Sequence, residues 1–185
     1  IHNVRPSEED LDMIYVGRLI PAKNVDTFVR SVQRIQRIIP DVRAGIIGDG
    51  PQKSYLVTLA RNLGLAHNVR FYGRIEDDTE VLSIVKSSKV FVYPSAPEGG
   101  WSLSILEAYA CGVPVVAVRR WKLGTAEEIV LHGYNGMLAD ELSVRMIESC
   151  VLNLLTDSKL RNMLAANALL IAERFDWDRQ ANDLE

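Results

Sequence analysis

Short apolar runs rich in β-branched residues alternate along the chain with stretches whose apolar positions recur every three or four residues. The runs at 13–16, 43–47, 69–72, 90–93, 113–117 and 136–138 predict six strands. Several are apolar throughout rather than alternating, as strands of a parallel sheet covered on both faces are. Between the first two runs, Val25, Phe28, Val29, Val32, Ile35 and Ile39 fall on one stripe of a helix that stops at Pro40. Weaker helical patterns over 55–62, 80–86 and 104–110 fill the later gaps. After Leu138 the chain reads as helix over 144–155, over 160–174 and from Trp177 onward.

That order predicts an α/β fold. It is a Rossmann-like, doubly wound parallel sheet of about six strands, flanked by helices, with right-handed crossovers and C-terminal helices. No linker or internal repeat divides it, so 1–185 reads as a single domain. Ligands of such sheets sit outside the carboxyl ends of the strands, and the residues after each strand are therefore the ones to inspect.

Composition changes this picture little. With 185 residues, 48% hydrophobic and 24% charged, the chain can bury one sizeable core, which excludes disorder and polar repeats. A net charge of −3 gives no general attraction to nucleic acid or anionic membrane, so any anion site must be local. No apolar run approaches the roughly 20 residues that span a bilayer. Cys111 and Cys150 form no CxxC and no metal spacing, which excludes a disulfide framework and leads us to expect a reducing, cytoplasmic compartment. The opening Ile1-His2-Asn3, without Met or a signal-type segment, leads to the expectation of a fragment of a longer protein.

After the first strand, Gly17 is followed by Arg18 and, five residues on, Lys23. A glycine admits a ligand to the backbone, and an Arg fork with a Lys point charge suits a diphosphate beside a helix N-terminus. Two solvated charges with Asn24 or Asp26 as a helix cap fit equally well. After the second strand, Gly48-Asp49-Gly50-Pro51 begins like a dinucleotide fingerprint, but Lys53 stands where the third glycine belongs, and no Walker ending follows. A turn with Pro51 at the first helical position accounts for it.

After the fourth strand, Glu98-Gly99-Gly100-Trp101-Ser102-Leu103 leads into a helix whose first amides can receive an anion. Glu98 and Glu107 flank that point, as acceptors for sugar hydroxyls. Each also has a structural reading: Ser104-x-x-Glu107 is a capping box, and Glu98 is a solvated loop charge. Asp10/Asp12 precede their strand and Asp176/Asp178 lie in the tail, so neither pair reads as a metal site. His2, His67 and His132 lack ligand spacing. Arg119, Arg120 and Lys122 read as a solvated basic loop ahead of a second phosphate contact.

Taken in order, several segments resemble a known family. They are Tyr15-Val16-Gly17-Arg18 with Lys23-Asn24, Ile47-Gly48-Asp49-Gly50-Pro51, Phe71-Tyr72-Gly73, Pro94-Ser95 with Glu98-Gly99, and the run from Leu106-Glu107-Ala108 to Ala117. Glu128-Ile129-Val130, Gly133-Tyr134-Asn135-Gly136 and Phe175-Asp176-Trp177 follow. From about 12 to 180 the chain resembles the C-terminal, donor-binding half of a retaining family 4 glycosyltransferase of GT-B fold. The resemblance implies Arg18 and Lys23 on the donor diphosphate, Glu107 on the ribose hydroxyls, and Glu98 on the transferred sugar. It further implies the backbone of Trp101, Ser102 and Leu103 on phosphate, Gly17 at close approach, and the main chain at Arg74 on the base. Glu98 and Glu107 stand nine positions apart, one more than in the family's E-x7-E motif, and the extra residue lies in 99–102.

The implied partners are a nucleotide sugar and an N-terminal acceptor domain of the same protein. Residues 1–11 then read as a linker remnant and 175–185 as the start of a C-terminal helix. Any contact with the inner face of a membrane would come through the other half, without which transfer is expected to be absent. A GT-B nucleotide-sugar epimerase and a non-catalytic nucleotide-binding module are the alternatives. Neither nucleic acid nor a metal cofactor is implied. Nucleoside-diphosphate binding is therefore expected to be the same in EDTA as with added Mg²⁺ or Mn²⁺. In a calorimetric titration, affinity that collapses in EDTA and returns with metal contradicts this.

Overall fold

The computed structural model describes residues 4–95, 102–119 and 129–174. The elements are β1 (Leu11–Val16), a 3-10 turn (Pro21–Lys23), α1 (Val25–Gln36), β2 (Ala44–Ile47), α2 (Lys53–Asn62), β3 (Val69–Gly73), α3 (Asp78–Lys86) and β4 (Ser88–Tyr93). They continue with α4 (Leu103–Ala110), β5 (Val115–Val118), β6 (Gly136–Ala139), α5 (Val144–Thr156) and α6 (Ser158–Glu173). All six strands are parallel, in the order β3-β2-β1-β4-β5-β6. This is the predicted doubly wound sheet.

Both faces are covered, which is why the strands read as apolar runs. Met13 and Tyr15 of β1, Val90 and Val92 of β4, Val116 and Val118 of β5 point into one core with α1, α2 and α5. Ile14, Phe91, Val115 and Ala117 point into the other, against α3 and α4. Alternation thus survives as a choice between two buried layers. The Arg34–Glu148 ion pair ties α1 to α5.

Boundaries moved for local reasons. β5 begins at Val115, not at 113, because Pro114 has no amide to donate; its carbonyl still accepts from Phe91 N at 3.0 Å. α3 begins two residues early, since Asp77 caps it by accepting from Thr79 N at 2.8 Å. Pro51 is not the first helical residue; it lies in a turn before α2, which starts at Lys53. The helix expected from Trp177 lies outside the described residues. Among the described residues no helix is long and apolar enough to cross a membrane.

The order reverses between β1 and β4, and the chain ends of β1, β2 and β3 converge on one side of that point. There the loops after β1 and β2 interlock through backbone. Gly17 N donates to Ile47 O at 3.0 Å, Leu19 N to Asp49 O at 2.9 Å, and Gln52 N to Leu19 O at 3.0 Å. Gly48 makes this approach feasible. Its φ is +136°, its amide reaches Gly73 O at 2.7 Å, and a Cβ built on it would lie 1.9 Å from the Gly17 carbonyl oxygen. Gly64, at φ +75°, has nothing within 4 Å of such a Cβ. Gly48→Ala is therefore expected to cost more than about 3 kcal/mol by strain and overlap, and Gly64→Ala about 1 kcal/mol. Urea denaturation checks the ranking; equal losses would contradict the backbone contact.

Candidate functional site

A cavity of about 520 Å³ opens at the carboxyl edge of the sheet beside the switch point. Gly17 and Arg18 bring in the end of β1, Gly48 and Asp49 the end of β2. Arg74 and Asp78 contribute the segment from β3 to α3, and Glu107 reaches in from α4. Four residues singled out from the sequence, Gly17, Arg18, Arg74 and Glu107, thus share one pocket.

Arg18 is set by the core beneath it. Tyr15 is fully buried against Phe28, with ring centroids 6.3 Å apart, and its hydroxyl donates to the Arg18 carbonyl at 3.0 Å. Lys23 stands apart from the pocket lining, on the 3-10 turn, with its ammonium 5.8 Å from the ring centroid of Tyr93 at the end of β4. Neither Asn24 nor Asp26 acts as the expected cap. Asn24 occupies the N-cap position of α1 without a side-chain cap bond, and Asp26 faces Arg30 at 4.0 Å. Arg74 is held by Glu76 through Nε at 2.8 Å and Nη2 at 3.1 Å, on the open rim.

The capping-box reading of Glu107 does not hold. The N-cap of α4 is Ser102, with no side-chain cap bond, so Ser104 is already inside the helix and its hydroxyl pairs with that of Ser102 at 3.0 Å. Glu107 is two residues beyond the position from which a side chain reaches back to that cap, and it lines the pocket. Burial, and secondarily the negative charge of Asp78, push its pKa above the ordinary glutamate value. Ser102 and Leu103 lie where the first amides of α4 have no helical acceptor, and the Leu103 side chain is 67% exposed. Glu98 and Trp101, like Arg120, Lys122, Asp176 and Asp178, lie outside the described residues.

Two pocket carboxylates escaped the sequence reading. Asp78 reads locally as an ordinary acidic residue at a helix start. Asp49 belongs to the glycine turn; it accepts from Gly50 N at 2.7 Å and from Lys53 Nζ at 2.6 Å, and these bonds hold its pKa below the usual aspartate value. Away from the site, Asp12 accepts from Arg43 N at 2.9 Å and Lys89 Nζ at 2.8 Å, so the first Asp-x-Asp pair splices strand ends. His132 accepts from Leu138 N at 3.0 Å, which is a structural role.

Strand order and a glycine-floored cleft at the topological switch point define a Rossmann-like α/β domain with its ligand site at the carboxyl edge of the sheet. The chain belongs to the "Glycosyl transferases group 1" family, whose model matches residues 1–170. It is 31% identical over 166 residues to an uncharacterized glycosyltransferase, MJ1178, of Methanocaldococcus jannaschii, covering 90% of this chain and 44% of that one. It is 35% identical over 153 residues to the GDP-mannose-dependent alpha-(1-6)-phosphatidylinositol monomannoside mannosyltransferase of Mycolicibacterium smegmatis, covering 80% and 39%. The chain therefore spans less than half the length of these relatives. Among solved structures it resembles the C-terminal domain of the group 1 family protein LpcC of Francisella tularensis, with TM-score 0.79, 26% identity and coverage of 92% and 94%. It also resembles HepE of Anabaena in complex with UDP-glucose, with TM-score 0.77, 28% identity and coverage of 90% and 44%.

The raised pKa of Glu107 carries a stability consequence. The fold favours its protonated form, so ionisation costs stability: nothing below the usual carboxylate range, more as pH rises through it, and the full amount above the raised pKa. Glu107→Gln is expected to unfold at a higher temperature than the parent at neutral pH, with the gain vanishing near about pH 3. Melting curves across that range check this; a gain that persists in acid contradicts it.

Proposed function

We propose that this chain is the donor side of a glycosyltransferase. It binds a nucleoside-diphosphate sugar for retaining transfer of a hexosyl group, such as mannosyl or glucosyl, to an acceptor hydroxyl. The observation that carries this reading is the convergence of Gly17, Arg18, Arg74 and Glu107 on one cavity at the carboxyl edge of the sheet. Relatives that use GDP-mannose and a structural neighbour holding UDP-glucose support it.

In this reading Arg18 and Lys23 hold the diphosphate, joined by the first amides of α4 at Ser102 and Leu103, with Trp101 before them. Their role grows during reaction. As the glycosidic bond breaks, positive charge spreads over the sugar carbon and ring oxygen, and negative charge collects on the departing diphosphate. Two fixed cations and a helix N-terminus stabilise that charge without a divalent metal. The carboxylate of Glu107 receives the ribose hydroxyls, and donors from a bound ribose favour its ionised form against burial. The main chain at Arg74 reads the base, and Glu98 contacts the sugar. The acceptor site, any membrane contact and the remaining groups belong to an N-terminal domain of the same, cytoplasmic protein.

Thermal-shift screening with UDP, GDP, ADP and their sugars tests the reading; a ligand at about 100 times its Kd stabilises by about 2.7 kcal/mol. Arg18→Ala and Lys23→Ala are each expected to weaken nucleoside-diphosphate binding by roughly 1.5–3 kcal/mol, the strength of a charge-assisted hydrogen bond. Calorimetry that finds both variants unchanged removes the clamp.

A further inference from the structure

Asn24, next to Lys23, has φ 49° and ψ 39°, and among the described residues it is the one non-glycine with positive φ. The left-handed region costs an L-residue about 1–2 kcal/mol, and Asn tolerates it better than most. Its side chain leaves the helix cap unmade. Instead Nδ2 donates to the Ala22 carbonyl at 3.2 Å and to the Pro94 carbonyl at 3.2 Å. The first bond closes the 3-10 turn on itself. The second crosses 70 residues of sequence to the chain just beyond β4.

That second bond lies beyond the last paired residues of β1 and β4. β1 and β4 pair through Leu11–Ser88, Met13–Val90 and Ile14–Phe91, and Asn24 and Pro94 both follow the carboxyl ends of these strands. The loop after β1 is fastened on its β2 side by the Gly17–Ile47 and Leu19–Asp49 bonds. On its β4 side two consecutive residues meet two consecutive residues: the Lys23 ammonium lies over Tyr93, and the Asn24 amide reaches Pro94. Bridging a polar carbonyl at the mouth of a cleft fixes the turn that bears the cation.

We propose that Asn24 is a positioning residue. Its amide bond to the Pro94 carbonyl sets where Lys23 stands across the switch-point cleft, and through Lys23 it governs diphosphate binding. This rests on the reading of Lys23 as a diphosphate ligand.

Calorimetry with UDP or GDP, whichever binds the parent chain, tests this on Asn24→Gly, Asn24→Asp, Lys23→Ala and the Asn24→Gly/Lys23→Ala double variant. Gly adopts the left-handed conformation freely and lacks the amide; Asp keeps the size and lacks the donor. Each is expected to weaken binding roughly 2- to 12-fold, the range of one hydrogen bond, with unchanged stoichiometry reporting an intact fold. In the Lys23→Ala background the Asn24→Gly loss is expected to disappear, since the two act as one unit. A purely structural Asn24 would give additive losses. If Lys23→Ala weakens binding while Asn24→Gly is silent or additive with it, the inference is overturned and the reading of Lys23 stands. If Lys23→Ala itself is silent, that reading fails and takes the inference with it.

Discussion

The site depends on one close approach of backbone to backbone. The loop that leaves β1 lies directly on the loop that leaves β2, and the Gly17 carbonyl occupies the space where any side chain at position 48 would begin. Because no side chains intervene, amides and carbonyls of the two loops satisfy each other, as the Gly17–Ile47 and Leu19–Asp49 bonds show. Buried backbone groups need such partners, and here the pairing also forms a thin floor. Arg18 rises from one side of that floor and Asp49 from the other. A Cβ at position 48 would part the loops and unseat Arg18 together with the Tyr15 hydroxyl that holds its carbonyl.

Above the floor the chemistry is mixed rather than uniformly basic. Arg18 and Arg74 share the cavity with Asp49, Asp78 and Glu107. A net charge of −3 gives long-range steering no help, so an anion must be recognised at short range by fixed donors. Glu107 is the costly member: half-buried, near another carboxylate, and released from any duty to its own helix. In the proposed reading, hydroxyl donors from a bound ribose would offset the burial and the neighbouring charge that disfavour the ionised carboxyl. That is the physical content behind placing ribose there.

Much of the fold was legible because parallel strands buried on both faces leave apolar runs, and because α1 shows a clean apolar stripe. Errors arose where two local solutions compete. Ser102 and Ser104 are both good helix caps; only the chain path shows that the helix starts at Leu103, which turns Glu107 from a capping residue into a pocket residue. Pro51 could begin a helix, yet the turn made by Asp49 and Gly50 places it before one. Asp78 gave no signal, since an acidic residue at a helix start is ordinary, and its position opposite Glu107 is created by packing of α3 on α4. The Asn24–Pro94 bond joins residues 70 apart and has no local signature. Long-range placement was the missing information in each case, not residue chemistry.

The central claim is that the carboxylate of Glu107 receives ribose hydroxyls in the switch-point pocket. The most direct test compares, by calorimetry, a nucleoside diphosphate with its 2′,3′-dideoxy analogue on the parent chain and on Glu107→Gln. Loss of hydrogen bonds to a charged acceptor predicts a roughly tenfold to hundredfold weaker dideoxy analogue on the parent, and a difference that largely collapses on the variant. Equal affinity of the two nucleotides for the parent chain would contradict the account.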